Sequence, residues 1–202
     1  MTARLVCLVS GTGSLAAALV DAAADPTYGA EVVAFGADRH QLGALDVARR
    51  AGIPAFVQRV RDHPDRDSWD AALTDSVATF APDLVISAGF MKLLGRRFLE
   101  VFGGRTLNTH PALLPSFPGM HGPADALEHG VKVSGATLFM VDEGVDSGPI
   151  VAQRAVDVID GDTVESLHER IKVAERLMVV DAVGRMVREG FSVDGRKVRI
   201  GQ

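Results

Sequence analysis

Short apolar runs alternate with helix-like patterns along the first half of the chain. Leu5 to Val9 is an apolar run that suits a buried strand. It is followed by the glycine turn SGTGS and by LAAALVDAAAD, whose alanine content favours a helix that ends before Pro26. Continuous apolar strands that alternate with helices are typical of a mostly parallel, twisted sheet with helices on both faces. The pattern therefore predicts a Rossmann-like α/β fold.

The pattern also predicts the order of the remaining elements. Strands are expected at 31–35, 55–57, 83–88 and 105–108, and helices at 42–51, 67–80, 95–102 and 124–128. Apolar runs at 132–141 and 149–158 have no helix-sized segment between them, which predicts an antiparallel C-terminal portion. A long helix is expected at 163–189, with Asp162 or Thr163 as its cap and Gly190 at its end, before an edge hairpin. We expect one domain over residues 1–202, because the chain contains no linker or repeat.

Composition and charge narrow the classes of partner. The 202 residues carry a net charge of -5 and no basic block, so we expect small-molecule substrates and no nucleic acid. Cys7 is the only cysteine, which excludes an intrachain disulfide and suits a reducing cytoplasm. No stretch approaches the roughly 18 apolar residues of a membrane span, so we expect a cytoplasmic protein without a membrane partner. The sequence leaves monomer and homodimer open.

The glycine turn is a candidate phosphate site. Gly11, Gly13 and Ala16 satisfy G-x-G-x-x-A between a strand and a helix. Backbone N–H groups at a helix N-terminus favour an anion, which could be the phosphate of a mononucleotide or of a dinucleotide. Asp38, after the next strand, would be the ribose-binding acid in a nicotinamide dehydrogenase. A tight turn with no ligand is the structural alternative.

A second candidate site lies in the loop RTLNTHPALLPSFPGMHG at 105–122, which its prolines stiffen. Asn108 offers a neutral donor, His110 can carry a proton near neutral pH, and Asp146 can hold the imidazole in its charged form. Such a set suits acyl chemistry, in which an oxyanion needs donors and the nucleophile must lose a proton. A structural role for a lone histidine is the alternative. The other histidines have no ligand-like spacing, so no metal site is predicted.

Four stretches in this order resemble the phosphoribosylglycinamide formyltransferase family of purine biosynthesis. They are SGTGS, SAGFMKLL at 87–94, LNTHPALLPSFPGMHG at 107–122 and VDEGVDSGPIVAQ at 141–153. The resemblance implies one formyltransferase domain that transfers the formyl group of the cosubstrate 10-formyltetrahydrofolate to the amine of glycinamide ribonucleotide, without a metal. It implies that Asn108 and His110 bind the developing oxyanion, and that Asp146 favours protonated His110 and helps to move the amine proton.

The resemblance also implies two sets of binding residues. For the substrate phosphate and ribose these are Gly13, Ser14, Leu15, Lys172 and Glu175. For the folate they are Arg66, Phe90, Met91, Lys92, Leu93, Leu94, Leu99, Met140, Val141, Asp142 and Asp146, with Arg66 and Lys92 near the glutamyl tail. The family commonly has Asn at the position of Leu15 and Arg at the position of Lys92.

Two alternatives to this function stay open. A formyltetrahydrofolate hydrolase would use similar Asn, His and Asp residues to deliver water instead of an amine. A non-catalytic nucleotide-binding module would use the glycine turn alone, and His110 and Asp146 would then be replaceable. The test that separates them is whether turnover needs the ribonucleotide.

Overall fold

The protein has an α/β fold with mostly parallel strands and an antiparallel C-terminal pair, which confirms the predicted fold class. It is described here by a computed structural model that covers residues 2–201. The residues up to Asn108 form one compact unit, and those from Thr109 onward form a second. The expectation of one domain over residues 1–202 stays a prediction.

The first unit has a parallel sheet in the strand order β3-β2-β1-β4-β5. Its strands are β1 (Ala3–Val9), β2 (Ala30–Ala37), β3 (Ala55–Val57), β4 (Leu84–Ser87) and the first residues of β5 (Thr106–His110). Its helices are α1 (Ser14–Ala23), α2 (Gly43–Ala51), α3 (Arg66–Ala78) and α4 (Arg96–Phe102). Short 3-10 turns at Pro26–Tyr28 and Val60–Asp62 were not predicted.

Strand β5 runs two residues further than the sequence predicted. The apolar pattern ends at Leu107, and the predicted strand therefore stopped at Asn108, with His110 in the following loop. The structure continues the strand through His110, and Asn108 is paired with Ser87 of β4. The backbone forms this pairing, so polar side chains do not prevent it. Since side chains two apart along a strand point to the same side, Asn108 and His110 share one side of β5.

The core of the first unit is built from apolar side chains of the strands, α3 and α4. Trp69 of α3 is fully buried and donates its indole N–H to the Gln58 carbonyl at 2.9 Å. Phe98 and Phe102 of α4 are also buried, with ring centroids 4.9 Å apart. The remaining members of this cluster are Val6, Leu8, Ala34, Leu73, Val77, Val85 and Phe90.

Asp70 of α3 fixes the start of α4. Its carboxylate is almost fully buried and accepts hydrogen bonds from Gly95 N at 2.7 Å and from Phe98 N at 3.1 Å. A Cβ at position 95 would lie 2.5 Å from the Asp70 carboxyl carbon, so only glycine fits there. The carboxylate thus satisfies two backbone donors that α4 leaves without intrahelical partners.

We expect Asp70→Ala to lower the free energy of unfolding by about 2–4 kcal/mol, because it removes a helix cap and leaves buried donors unsatisfied. Urea unfolding followed by circular dichroism measures this change. The matched control is Asp75→Ala on the exposed side of the same helix, which should change stability by less than about 0.5 kcal/mol. Equal losses in the two variants would contradict the capping role.

The second unit pairs antiparallel strands with one long helix. Its elements are α5 (Gly122–Glu128), β6 (Val133–Met140), β7 (Ile150–Asp157), α6 (Val164–Glu189), β8 (Phe191–Asp194) and β9 (Lys197–Ile200). Strand β6 is antiparallel to β7, and β8 and β9 form the predicted edge hairpin. Helix α6 begins with a capping box between Thr163 and Ser166 and ends at Gly190, as predicted.

Candidate active site

Gly13 shapes the turn that the sequence marks as a phosphate site. It is the N-cap of α1 and has a left-handed φ of 80°, which suits glycine. A Cβ at this position would lie 2.6 Å from Ala44 Cα, so the turn has no room for a side chain. Ser14 follows as an exposed first residue of α1, whereas Leu15 is only 5% exposed and belongs to the core. The Leu15 side chain therefore packs in the core.

The segment 88–94, which follows β4, is tied to its surroundings at three points. Met91 N donates to Ser10 Oγ at 2.9 Å, Lys92 Nζ lies 3.0 Å from Asp38 Oδ2, and the Arg66 guanidinium donates to the Leu93 carbonyl. Among its apolar residues, Phe90 is buried and stacks on Trp69 with ring centroids 6.3 Å apart. Met91 and Leu93 are 65% and 66% exposed, so they present apolar surface to solvent.

Asp38 at the end of β2 is buried and paired with two cations. Its carboxylate binds Lys92 at 3.0 Å and Arg39 Nε at 3.0 Å. Burial by itself would raise the pKa of Asp38, but the hydrogen bonds from Arg39, Lys92 and the Ser10 hydroxyl outweigh it and hold the pKa below its usual range. A ribose-binding acid needs a carboxylate that can reach the ribose hydroxyls. In this structure the Asp38 carboxylate is already paired with Lys92 and Arg39, which disfavours the dehydrogenase alternative.

His110, at the end of β5, lies between two hydrogen-bond acceptors. Its Nε2 is 2.6 Å from the Phe117 carbonyl, and its Nδ1 is 3.3 Å from Asp146 Oδ2. The side chain is 4% exposed. A carbonyl and a carboxylate both only accept, so only the doubly protonated imidazolium can donate to both at once. The predicted pairing of His110 with Asp146 is present in the structure.

Asp146 is held in position by a second contact to the same carboxylate oxygen that faces His110. Gly119 N donates to Asp146 Oδ2 at 2.8 Å, which joins the segment around Gly119 to the loop that carries Asp146. Asp146 itself has a left-handed φ of 51°, an unusual conformation for a residue with a Cβ. Such conformations persist where the surrounding structure fixes them, and they cluster at functional sites.

Helix α6 places Glu175 near His110. Burial raises the pKa of the Glu175 carboxyl, and this increase is only partly offset by a hydrogen bond with Thr109 and by nearby positive charges, including His110. Lys172, three residues earlier, forms an ion pair with Glu169. Lys172 and Glu175 were predicted as substrate-binding residues, and in the structure each has a protein partner.

The other predicted folate residues have ordinary environments. Met140 is buried at the end of β6, and Val141 and Asp142 follow it as half-buried residues. Asp142 Oδ1 accepts from Ser147 Oγ at 2.7 Å and from Gly144 N at 3.1 Å, which shapes the loop around Asp146. Leu94 and Leu99 are half-buried.

Comparison with known proteins shows to which family this chain belongs. Residues 3–183 match the model of the formyl transferase family. This chain belongs to the formyl transferase family. It is 56% identical over 200 residues to phosphoribosylglycinamide formyltransferase of Mycobacterium tuberculosis (strain ATCC 25618 / H37Rv), a match that covers 99% of this chain and 92% of the relative.

Two solved structures have folds similar to that of this chain. The glycinamide ribonucleotide transformylase 1 of Symbiobacterium toebii is similar with a TM-score of 0.96 and 39% identity, covering 100% of this chain and 95% of that one. A formyltetrahydrofolate deformylase from Pseudomonas syringae pv. tomato str. DC3000 has a TM-score of 0.91 at 23% identity, covering 100% and 67%. The second likeness shows a shared fold alone, so the fold does not separate a transferase from a deformylase.

Within this formyl transferase, sequence reasoning missed the backbone partners of the candidate catalytic residues. The Phe117 carbonyl and the Gly119 N–H hold His110 and Asp146, but a backbone group has no signature in residue type. Gly122 also lies close to the imidazole, since a Cβ there would be only 3.2 Å from His110 Nε2. The prolines of this loop indicated rigidity, but they did not indicate which backbone atoms face His110.

Two features of residues 2–201 concern the metal and membrane expectations. Among these residues, no group of three or more His, Cys, Asp or Glu side chains is arranged to hold a metal ion. No helix within the same range is long and apolar enough to cross a membrane.

The raised pKa of Glu175 predicts a pH-dependent effect of Glu175→Gln on stability. Below the ordinary carboxyl pKa of 4.5, Glu175 is protonated in both the folded and the unfolded chain, so the substitution changes little. As the pH rises above that value, the unfolded chain ionises first, and the wild type loses stability until the pH passes the folded pKa. The variant should therefore gain stability relative to wild type as the pH rises above 4.5 in urea unfolding.

Glu169→Gln is the matched control on the same helix and should show the opposite trend. The hydrogen bond from Lys172 lowers the pKa of the exposed Glu169 carboxyl, so its contribution is present at neutral pH and lost on acidification. A Glu175→Gln advantage that shrinks as pH rises would contradict the account of Glu175.

Proposed function

We propose that this chain transfers the formyl group of 10-formyltetrahydrofolate to the primary amine of glycinamide ribonucleotide, giving formylglycinamide ribonucleotide and tetrahydrofolate. The observation that carries the proposal is His110, buried at the end of β5 with acceptors at both ring nitrogens, in a chain of the formyl transferase family. The relatives named phosphoribosylglycinamide formyltransferase support the choice of substrate.

The proposed chemistry is direct attack of the amine nitrogen on the formyl carbon. The carbonyl oxygen becomes an oxyanion, which Asn108 and His110 stabilise with hydrogen bonds. Because the Phe117 carbonyl already binds Nε2, we assign the donor role to Nδ1–H, which the oxyanion would share with Asp146. Collapse of the intermediate breaks the bond from the formyl carbon to N10 of the folate. The attacking nitrogen loses one proton towards Asp146, directly or through water, and N10 gains one.

The proposed binding sites follow the residues named from the sequence. The phosphate and ribose site uses Gly13, Ser14, Leu15, Lys172 and Glu175, with Gly13 and Leu15 contributing through the backbone and the packing of α1. The folate site uses segment 88–94 with Arg66 and Leu99, together with 140–142 and Asp146. The exposed side chains of Met91 and Leu93 support an apolar ligand at segment 88–94.

The remaining parts of the proposal concern the setting of the reaction. We propose that it uses 10-formyltetrahydrofolate as cosubstrate without a metal ion, that it occurs in the cytoplasm and that it involves no nucleic acid. Monomer and homodimer both stay compatible with it.

Direct attack is tested by mixing the enzyme with 10-formyltetrahydrofolate in stoichiometric amounts and following tetrahydrofolate on the millisecond scale. Without glycinamide ribonucleotide we expect no rapid release of tetrahydrofolate, and with it we expect release at the catalytic rate. A stoichiometric burst without the ribonucleotide would indicate a formyl-enzyme intermediate and would overturn direct attack.

A further inference from the structure

A polar cluster around one buried carboxylate in the first unit connects the ends of three segments. We call it the Asp38 cluster, and it consists of Ser10, Asp38, Arg39, Lys92 and the backbone N–H of Met91. Ser10 follows β1, Asp38 follows β2, and Met91 and Lys92 belong to segment 88–94 after β4. The cluster therefore lies at the carboxyl ends of parallel strands, where α/β proteins place their ligands.

The contacts of the cluster converge on one carboxylate. The side chain of Asp38 is 2% exposed, whereas those of its partners Lys92 and Arg39 are 32% and 52% exposed. The Ser10 hydroxyl donates to Asp38 and at the same time accepts from Met91 N at 2.9 Å. Segment 88–94 is thus bound to Asp38 twice, directly through the Lys92 ammonium and indirectly through Ser10.

Burial distinguishes this arrangement from an ordinary surface ion pair. Exposed pairs contribute little, because water and salt screen them. A buried carboxylate instead needs its partners, since removing them leaves an unpaired charge in a medium of low polarity. Asp38 is therefore expected to retain Lys92 and Ser10 as partners, and this restricts the conformations of segment 88–94.

We infer that Asp38 is a positioning residue, which holds segment 88–94 through Lys92 and Ser10 in the conformation that binds the folate. The inference rests on the proposed function, since that proposal places the folate at this segment. It assigns the Lys92 ammonium to the anchoring of the segment. A ligand that binds an ordered segment does not have to order it first, so the loss of the anchor should weaken folate binding.

The test is steady-state kinetics of Asp38→Asn and Lys92→Met with each substrate varied in turn. We expect each variant to raise the KM for 10-formyltetrahydrofolate roughly tenfold, with kcat and the KM for glycinamide ribonucleotide within about twofold of wild type. Because Asp38 also holds the segment through Ser10, Asp38→Asn should raise this KM at least as much as Lys92→Met, and the double variant should be no worse than Asp38→Asn alone. Lys92→Arg keeps a cation that can pair with Asp38, so it should reverse most of the KM increase seen in Lys92→Met.

A second formyl donor distinguishes two roles of Lys92, the anchoring of segment 88–94 and the direct binding of the folate tail. The carboxamide of 10-formyltetrahydropteroate has no carboxylate in place of the glutamyl tail, and anchoring predicts the same relative KM increase in Lys92→Met for this formyl donor as for the complete folate. If Lys92 binds the tail itself, the increase will vanish with the truncated donor and Asp38→Asn will lower or preserve the KM. Either result would overturn the inference.

Two control variants complete the design. Asp46→Asn removes an exposed carboxylate of α2 that pairs with Arg49, and it should leave all constants unchanged. Leu94→Ala tests the folate segment independently of the cluster. If Leu94→Ala raises the KM for 10-formyltetrahydrofolate while Asp38→Asn does not, only the inference fails. If Leu94→Ala leaves that KM unchanged, the assignment of segment 88–94 to the folate site fails, and the inference fails with it. Thermal unfolding checks that each variant is folded. If Asp38→Asn does not fold, Lys92→Met at the half-exposed Lys92 still tests the inference.

Discussion

Replacing His110 with alanine is expected to lower kcat for formyl transfer by about 10²- to 10⁴-fold, while both KM values stay within a few-fold of wild type. The imidazole is buried and oriented by Phe117 and Asp146, and its proposed hydrogen bond strengthens only as charge develops on the formyl oxygen. An interaction made in the transition state affects kcat more than it affects substrate binding. Stopped-flow and steady-state assays with saturating substrates measure the loss.

His63→Ala is the control for the histidine substitution. His63 is half-buried in the first unit and contacts Gln58 at 3.0 Å, so its removal should leave kcat unchanged. A wild-type kcat in His110→Ala, with a folded protein, would assign His110 a structural role and would remove it from the proposed mechanism.

The second large effect is expected from Asp146→Asn, which should lower kcat by about 10²- to 10³-fold. The amide has the size of the carboxylate, and its oxygen can still accept from Gly119 N, so the loop conformation should persist. What disappears is the negative charge 3.3 Å from His110 Nδ1, together with the group proposed to receive the amine proton.

Asp160→Asn removes a fully exposed carboxylate of the same unit and should have no effect on kcat. If Asp146→Asn loses activity only through a higher folate KM, Asp146 contributes to binding alone. A kcat as high as that of wild type would contradict its proposed role in proton transfer.

Hydrophobic patterning was sufficient to predict the fold class because most strands here are continuous apolar runs. The Ala55–Val57 strand was predicted with its observed bounds, and the long helix was placed to within one residue at its start. The cap at Thr163 and the end at Gly190 have local signatures in residue type. Strand β5 was the main exception, because its last residues are polar and their strand conformation depends on backbone pairing.

The parts of the candidate site that consist of side chains were predictable from residue type. His110 and Asp146 were paired from their types and from the resemblance, and the structure brings them together. Phe117 and Gly119 were not predicted, since they act through backbone atoms. Asp38 was interpreted as a possible ribose ligand, because a sequence does not show that a lysine much later in the chain lies 3.0 Å away. Such long-range pairs depend on the folded arrangement of the strand ends.

The most direct test of the central claim is turnover of 10-formyltetrahydrofolate by the wild-type protein, with and without glycinamide ribonucleotide, with the products identified by mass spectrometry. We predict that tetrahydrofolate and formylglycinamide ribonucleotide form in equal amounts, and that turnover is negligible when the ribonucleotide is left out. Formate produced at the same rate in both mixtures would contradict the account and would identify the activity as a hydrolase.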